Sequence, residues 1–152
     1  MMRWISPDKL GSTTQKVSTD FLKQNGLEVV NEWHHSPHGV DLFIWTDGHG
    51  EMIKFQLSIL GLILEWSQGS GLQTGMVIEQ EDPNPLNKMN ATDLVKYDAK
   101  PQKSTLEYST QIVNQLNDLD ALKKRSILDI LGAPRPQNWL SKAITAILKR
   151  NK

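Results

Sequence analysis

Between Ile53 and Ile59 the chain alternates strictly. Ile53, Phe55, Leu57 and Ile59 are apolar, and Lys54, Gln56 and Ser58 between them are polar. A period of two predicts a half-buried strand. The preceding stretch, Val40 to Thr46 (VDLFIWT), is apolar on both faces, which suits a central strand covered on both sides. Asp47-Gly48-His49-Gly50 separates the two. Asp-Gly followed by a second glycine tolerates positive φ and predicts a tight hairpin turn. Beyond Ile59 the phase flips, and Leu62, Leu64 and Trp66 fall on even positions. A bulge or sharp bend at Gly61 reconciles the flip with a further strand, against the competing reading of a short buried helix over 59–66. Ser67 to Gly71 reads as a turn. Leu72 to Gln80 reads as another strand, with Met76 and Ile78 inward. Upstream, Leu27 to Trp33 places Leu27, Val29 and Trp33 on one strand face.

Helical periodicity brackets this β-rich stretch. Ser6-Pro7 suits the start of a short helical turn. Ser12-Thr13-Thr14-Gln15 has the spacing of a capping box, and Val17, Phe21 and Leu22 follow. The pattern predicts a helix from about Thr13 to Gln24, stopped by Asn25-Gly26. After residue 103 the pattern predicts three helices. The first runs roughly from Thr105 to Gln115. The second is capped by Asn117 or Asp118, carries Leu119, Leu122, Ile127, Ile130 and Leu131, and stops at Gly132. The third opens at Pro136 and carries Trp139, Leu140, Ala143, Ile144, Ile147 and Leu148 in one stripe. Residues 81–103 hold three prolines and little periodicity, which reads as a long connector with a short element near Leu94 to Tyr97. The expected architecture is one α+β domain over residues 1–152. It has an N-terminal helix, a four- to five-stranded mainly antiparallel sheet, and three C-terminal helices packed on that sheet.

Composition narrows the chemistry. The 152 residues include no cysteine, which excludes disulfides, thiolate metal sites and a cysteine nucleophile. The N-terminal sequence lacks an apolar stretch of signal-peptide length, and the longest apolar run, near Ile59 to Leu64, is far short of a membrane span. A cytoplasmic location with no membrane partner is the expectation. The formal net charge is zero, yet the last 32 residues carry eight basic groups against one acid, Asp129. An excess of that kind marks either an anionic partner or a solvated helix surface.

Three constellations are candidates for function. All four histidines, His34, His35, His38 and His49, lie close together in the sequence, with Asp41 among them. Imidazole and carboxylate are the usual zinc or iron ligands when thiolates are lacking. With His34 to His38 in a loop before the second strand and His49 in the turn after it, seven strand residues separate the groups by about 20 Å at ~3.3 Å per residue. A divalent metal would therefore use His35, His38 and Asp41, although no cofactor is required by the sequence. The second constellation is Asp41 and Gln56. Gly39-Val40-Asp41 at a strand start, a tight turn and a following strand resemble the beginning of the PD-(D/E)XK nuclease core over about residues 13–58. That resemblance implies a divalent ion held by Asp41 and by the acid position of the next strand, here Gln56. The lysine position of the motif is Ser58, which lacks the charge. The third is the basic set Lys123, Lys124, Arg125, Lys142, Lys149 and Arg150, a candidate grip for nucleic-acid phosphates.

No nucleophile elbow, phosphate loop or dinucleotide fingerprint is present. The expectation is a non-enzymatic binding or regulatory module. It docks a protein partner through a sheet face, an edge strand or the connector. A metal-dependent or degenerate nuclease or phosphodiesterase, and a nucleic-acid binder, are the alternatives. The oligomeric state is not fixed by the sequence.

Overall fold

A computed structural model describes residues 5–18, 32–78 and 94–133, together with helical backbone at 144 and 147–149. Ser6 opens the first element, α1 (Pro7–Ser12). Its hydroxyl accepts from Lys9 N, and Pro7 sits where the missing N–H costs nothing. Seven strands follow: β1 (Gln15–Val17), β2 (Glu32–Ser36), β3 (Val40–Thr46), β4 (Met52–Ile59), β5 (Leu62–Ser67), β6 (Gly71–Ile78) and β7 (Leu94–Tyr97). They form one antiparallel sheet in chain order, a meander. Two helices complete the described chain, α2 (Lys103–Asn114) and α3 (Ala121–Ile130). Asp120 caps α3 by accepting from Lys123 N. Gly132, at φ 79°, ends it in the left-handed conformation.

The turns explain the register. Asp47 Oδ1 accepts from His49 N and Glu51 N, which closes the β3–β4 turn as the Asp-Gly sequence dictates. A bulge between Trp45 and Thr46 adjusts the pairing there. The phase flip after Ile59 has a simple cause. Leu60 (φ 49°) and Gly61 (φ 91°) are both left-handed, and Ile59 pairs directly with Leu62. A two-residue turn with positive φ at both positions fits the right-handed twist of the strands.

The pleat then sorts the side chains. Val40, Leu42 and Ile44 of β3, Phe55, Leu57 and Ile59 of β4, and Leu64 of β5 point to one face, where all are fully buried. Leu10 of α1, Ile112 and Val113 of α2, and Ile127 and Leu128 of α3 pack over them to complete one core. Gly11 lets α1 approach α2. A Cβ there would sit 2.5 Å from the Ile112 carbonyl oxygen and 2.5 Å from Gln115 Cβ.

Several sequence expectations are corrected. The sheet has seven strands rather than four or five. Each of the added strands is short and lies at an end of the meander, where three or four residues carry too little alternation to register. The helix expected from Thr13 is not formed over the described residues. Thr13 and Thr14 instead turn their hydroxyls back to the Lys9 and Leu10 carbonyls and close α1, and the chain leaves as β1. Residues 19–31, where the rest of that helix and the start of the Leu27 strand were expected, lie outside the described residues. His34 and His35 belong to β2 rather than to a loop. Asp120, not Asn117 or Asp118, caps the second C-terminal helix. The third C-terminal helix, expected from Pro136, lies outside the described residues apart from Ile144 and 147–149. The strand reading of 59–66 with a bend at Gly61 holds, as strand–turn–strand, against the competing short helix. Most of the connector is undescribed, but its expected short element is β7.

Candidate functional site

One face of the sheet carries the three helices. Over the other, no described helix lies. Its side chains are fixed by parity: Trp33 and His35 on β2, Asp41, Phe43 and Trp45 on β3, Lys54, Gln56 and Ser58 on β4, Glu65 on β5, Gln73 on β6 and Tyr97 on β7. A cross-strand row runs Trp33, Phe43, Gln56, Glu65, Gln73.

Aromatic rings dominate one half of this face. Trp33 stacks on Phe43 with ring centroids 5.7 Å apart and planes 18° apart, and Phe43 reaches Trp45 at 6.3 Å. All three residues are half-buried. The rings stand as a ladder, propped by polar neighbours. Asp41 Oδ1 accepts from Trp33 Nε1 at 2.9 Å and lies 2.7 Å from His35 Nδ1. At the other end Lys54 Nζ sits 4.8 Å above the Trp45 ring, within reach of a cation–π attraction. Lys54 is also 3.9 Å from Glu65, to which the Tyr97 hydroxyl donates at 3.3 Å. Burial, and then the negative charge and hydrogen bond of Glu65, raise the pKa of Tyr97, so its hydroxyl stays protonated. Trp45 Nε1 is enclosed without a hydrogen-bond partner among the described residues.

The charges of this face are thus consumed internally. Asp41 props Trp33 and His35, and Lys54 and Glu65 face each other. Besides these charges the face carries the aromatic ridge, the amides of Gln56 and Gln73, the Ser58 hydroxyl and, towards the far strands, the apolar side chains of Ile63, Val77 and Val95.

The sequence candidates fall into place around it. His35 and Asp41 meet on this face. His38 lies in the β2–β3 turn with its amide donating to Ser36 Oγ. No group of three His, Asp or Glu residues able to hold a metal ion occurs among the described residues. Asp41 pairs directly with Ser58, while Gln56 pairs with Phe43, so Asp41 and Gln56 share a face on neighbouring rows. A lysine opposite Asp41 is replaced by Ser58, and the carboxylate is already engaged by an indole and an imidazole. Of the basic set, Lys123 donates to Glu32 at 3.0 Å and Arg125 to Asp129 at 3.0 Å. Lys124 donates to the Asn114 carbonyl, and burial lowers its pKa. Three of the six cations are therefore spent on the fold. Lys149 is exposed, and Lys142 and Arg150 lie outside the described residues.

Sequence reasoning missed one buried polar cluster on the helix side. Glu32, 5% exposed in its side chain, sits 3.2 Å from Lys16 Nζ of β1, 3.4 Å from His34 Nε2 and 3.0 Å from Lys123 Nζ of α3. Burial alone pushes its pKa up. The imidazole of His34 and the ammonium groups of Lys123 and Lys16 outweigh that and hold the carboxyl at about 2. Glu32 would have been recognisable only from its parity with Ile44, which places it inward. Lys123 and Glu51 also line a groove of about 630 Å³ beside Trp66 and α3.

No helix among the described residues is long and apolar enough to cross a membrane. Neither a protein-family model, nor a curated protein, nor a solved structure matches the chain.

Proposed function

We propose that the chain is a non-enzymatic docking module whose sheet face opposite the described helices binds an uncharged, apolar stretch of a partner polypeptide. The observation that carries this reading is the propped ladder of Trp33, Phe43 and Trp45. Trp and Tyr are enriched among the residues that carry binding energy at protein interfaces, and rigid rings lose little entropy on binding. Lys54, paired with Glu65, leaves no unpaired lysine or arginine among the described residues of this face, which favours a neutral partner over nucleic acid.

The test is site-specific photocrosslinking in native extract. A photoreactive residue at Gln73, on the open face, is compared with one at Gln111, on α2. The expected result is one protein adduct from position 73, lost when Phe43→Ser is added, and none from position 111. Equal labelling from both positions, or adducts only with nucleic acid, overturns the reading.

A further inference from the structure

The end of the aromatic ladder nearest β1 holds a polar atom that the ladder itself does not use. His35 Nδ1 lies 2.7 Å from Asp41 Oδ1, and the same oxygen accepts from Trp33 Nε1 at 2.9 Å. An ionised carboxylate only accepts, so Nδ1 carries the proton of that contact. In the neutral imidazole Nε2 is then left as an acceptor.

The ring is held in place as firmly as the tautomer. It leans on Trp33, with ring centroids 5.8 Å apart and planes 58° apart. The side chain is 43% exposed, and among the described residues no donor reaches Nε2. The two carboxylates of the face are engaged. Asp41 Oδ1 takes two donors, and Glu65 takes the Tyr97 hydroxyl and faces Lys54. Gln56 and Gln73 carry amides that turn either a donor or an acceptor outward. His35 offers one acceptor in one direction, beside the first ring of the ladder.

An apolar segment laid on that ladder brings its backbone with it. Its side chains hold no donors, but every residue except proline has an N–H. An amide stripped of water by the rings needs an acceptor, because a buried donor left unpaired weakens binding.

We propose that His35 sets the register of the bound segment: its Nε2 accepts a backbone N–H of the partner polypeptide where that segment crosses Trp33. This role rests on the docking reading of the open face. It adds a polar requirement that an apolar ligand without N–H groups does not meet.

The photoreactive residue at position 73 provides the test, with adduct formation in native extract followed against the concentration of the full chain. His35→Asn keeps an amide N–H for Asp41 but has nothing at the Nε2 position. Its half-saturating concentration is expected to rise about tenfold. His35→Gln is one atom longer, carries its amide oxygen to about the Nε2 position, and is expected to recover most of that loss. Both variants should keep the native circular dichroism, since the side chain lies outside the core. Equal half-saturation for the parent chain and His35→Asn overturns the proposal and leaves the docking reading standing. A loss of equal size in both variants also overturns it, and assigns His35 to propping Trp33 and Asp41 alone. The absence of any adduct from the parent chain overturns the docking reading, and the role of His35 falls with it.

Discussion

The two faces of the sheet are built from the same strands but do different jobs. On the helix side, Val40, Leu42, Ile44, Phe55, Leu57 and Ile59 have no exposure worth counting, and α1, α2 and α3 close over them. On the open side, Trp33, Phe43 and Trp45 carry equally large side chains but stay half-buried, and they hold one another up through stacking and through Asp41 and Lys54. The difference separates residues that hold the fold from residues that the fold holds in place. Leu57→Ala tests it most severely. A buried leucine truncated without collapse of the site costs ~2–5 kcal/mol. Phe43→Ala on the open side removes a half-covered ring and is expected to cost about 1–2 kcal/mol, most of it from the lost stacking. Urea unfolding of both variants measures the gap. Equal losses would make the open face a second core and remove the ground for docking.

The Glu32 cluster sharpens the comparison because it is polar and sits on the buried side. Lys16, His34 and Lys123 hold its carboxyl at about 2 against an ordinary 4.5. The unfolded chain therefore binds that proton more readily than the folded one. The stabilisation is complete above about pH 4.5 and is lost as the pH falls towards 2. The shift corresponds to at most about 3 kcal/mol. Unfolding free energy followed through this window should fall less steeply for Glu32→Gln than for the parent chain. At neutral pH the variant should also be less stable, since Lys123 loses its charged partner while 26% exposed. An unchanged pH profile would mean that water screens the carboxyl despite its burial.

How much of this was legible beforehand follows from the length of each pattern. Residues 40–46 and 52–59 carry full periods of two, and the structure returns β3 and β4 at those places. Gln15–Val17 is three residues long, too short for any period, and a capping-box spacing at Ser12 to Gln15 pointed the other way. Tertiary pairing with β2 decided the outcome: Lys16 pairs with His34 in the sheet and reaches Glu32. The His35–Asp41 contact was readable in part, since both residues were singled out as candidate ligands. The structure assigns them to a two-residue pair propping Trp33, a role set by strand register that sequence spacing alone does not reveal. The aromatic ladder was hidden for a different reason. Trp33 and Trp45 fit amphipathic patterns and read as core, because a sequence shows which residues share a face but not which face the helices choose. Met76 and Ile78 failed in the reverse sense. They do point to the helix side, yet they stay exposed, Met76 at 58% and Ile78 at 44%.

Leu60 provides the smallest effect and the cleanest one. A left-handed L-residue other than Gly, Asn or Asp costs about 1–2 kcal/mol relative to the right-handed conformation. Asparagine relieves much of that, and it also removes an apolar side chain that is 59% exposed, at the loss of its contact over Gly39. Leu60→Asn should therefore raise the stability of the isolated chain by about 1 kcal/mol at most. On a domain of this size the melting temperature should rise by a few degrees. A melting temperature that falls instead would mean that the contact over Gly39 outweighs the strain at Leu60.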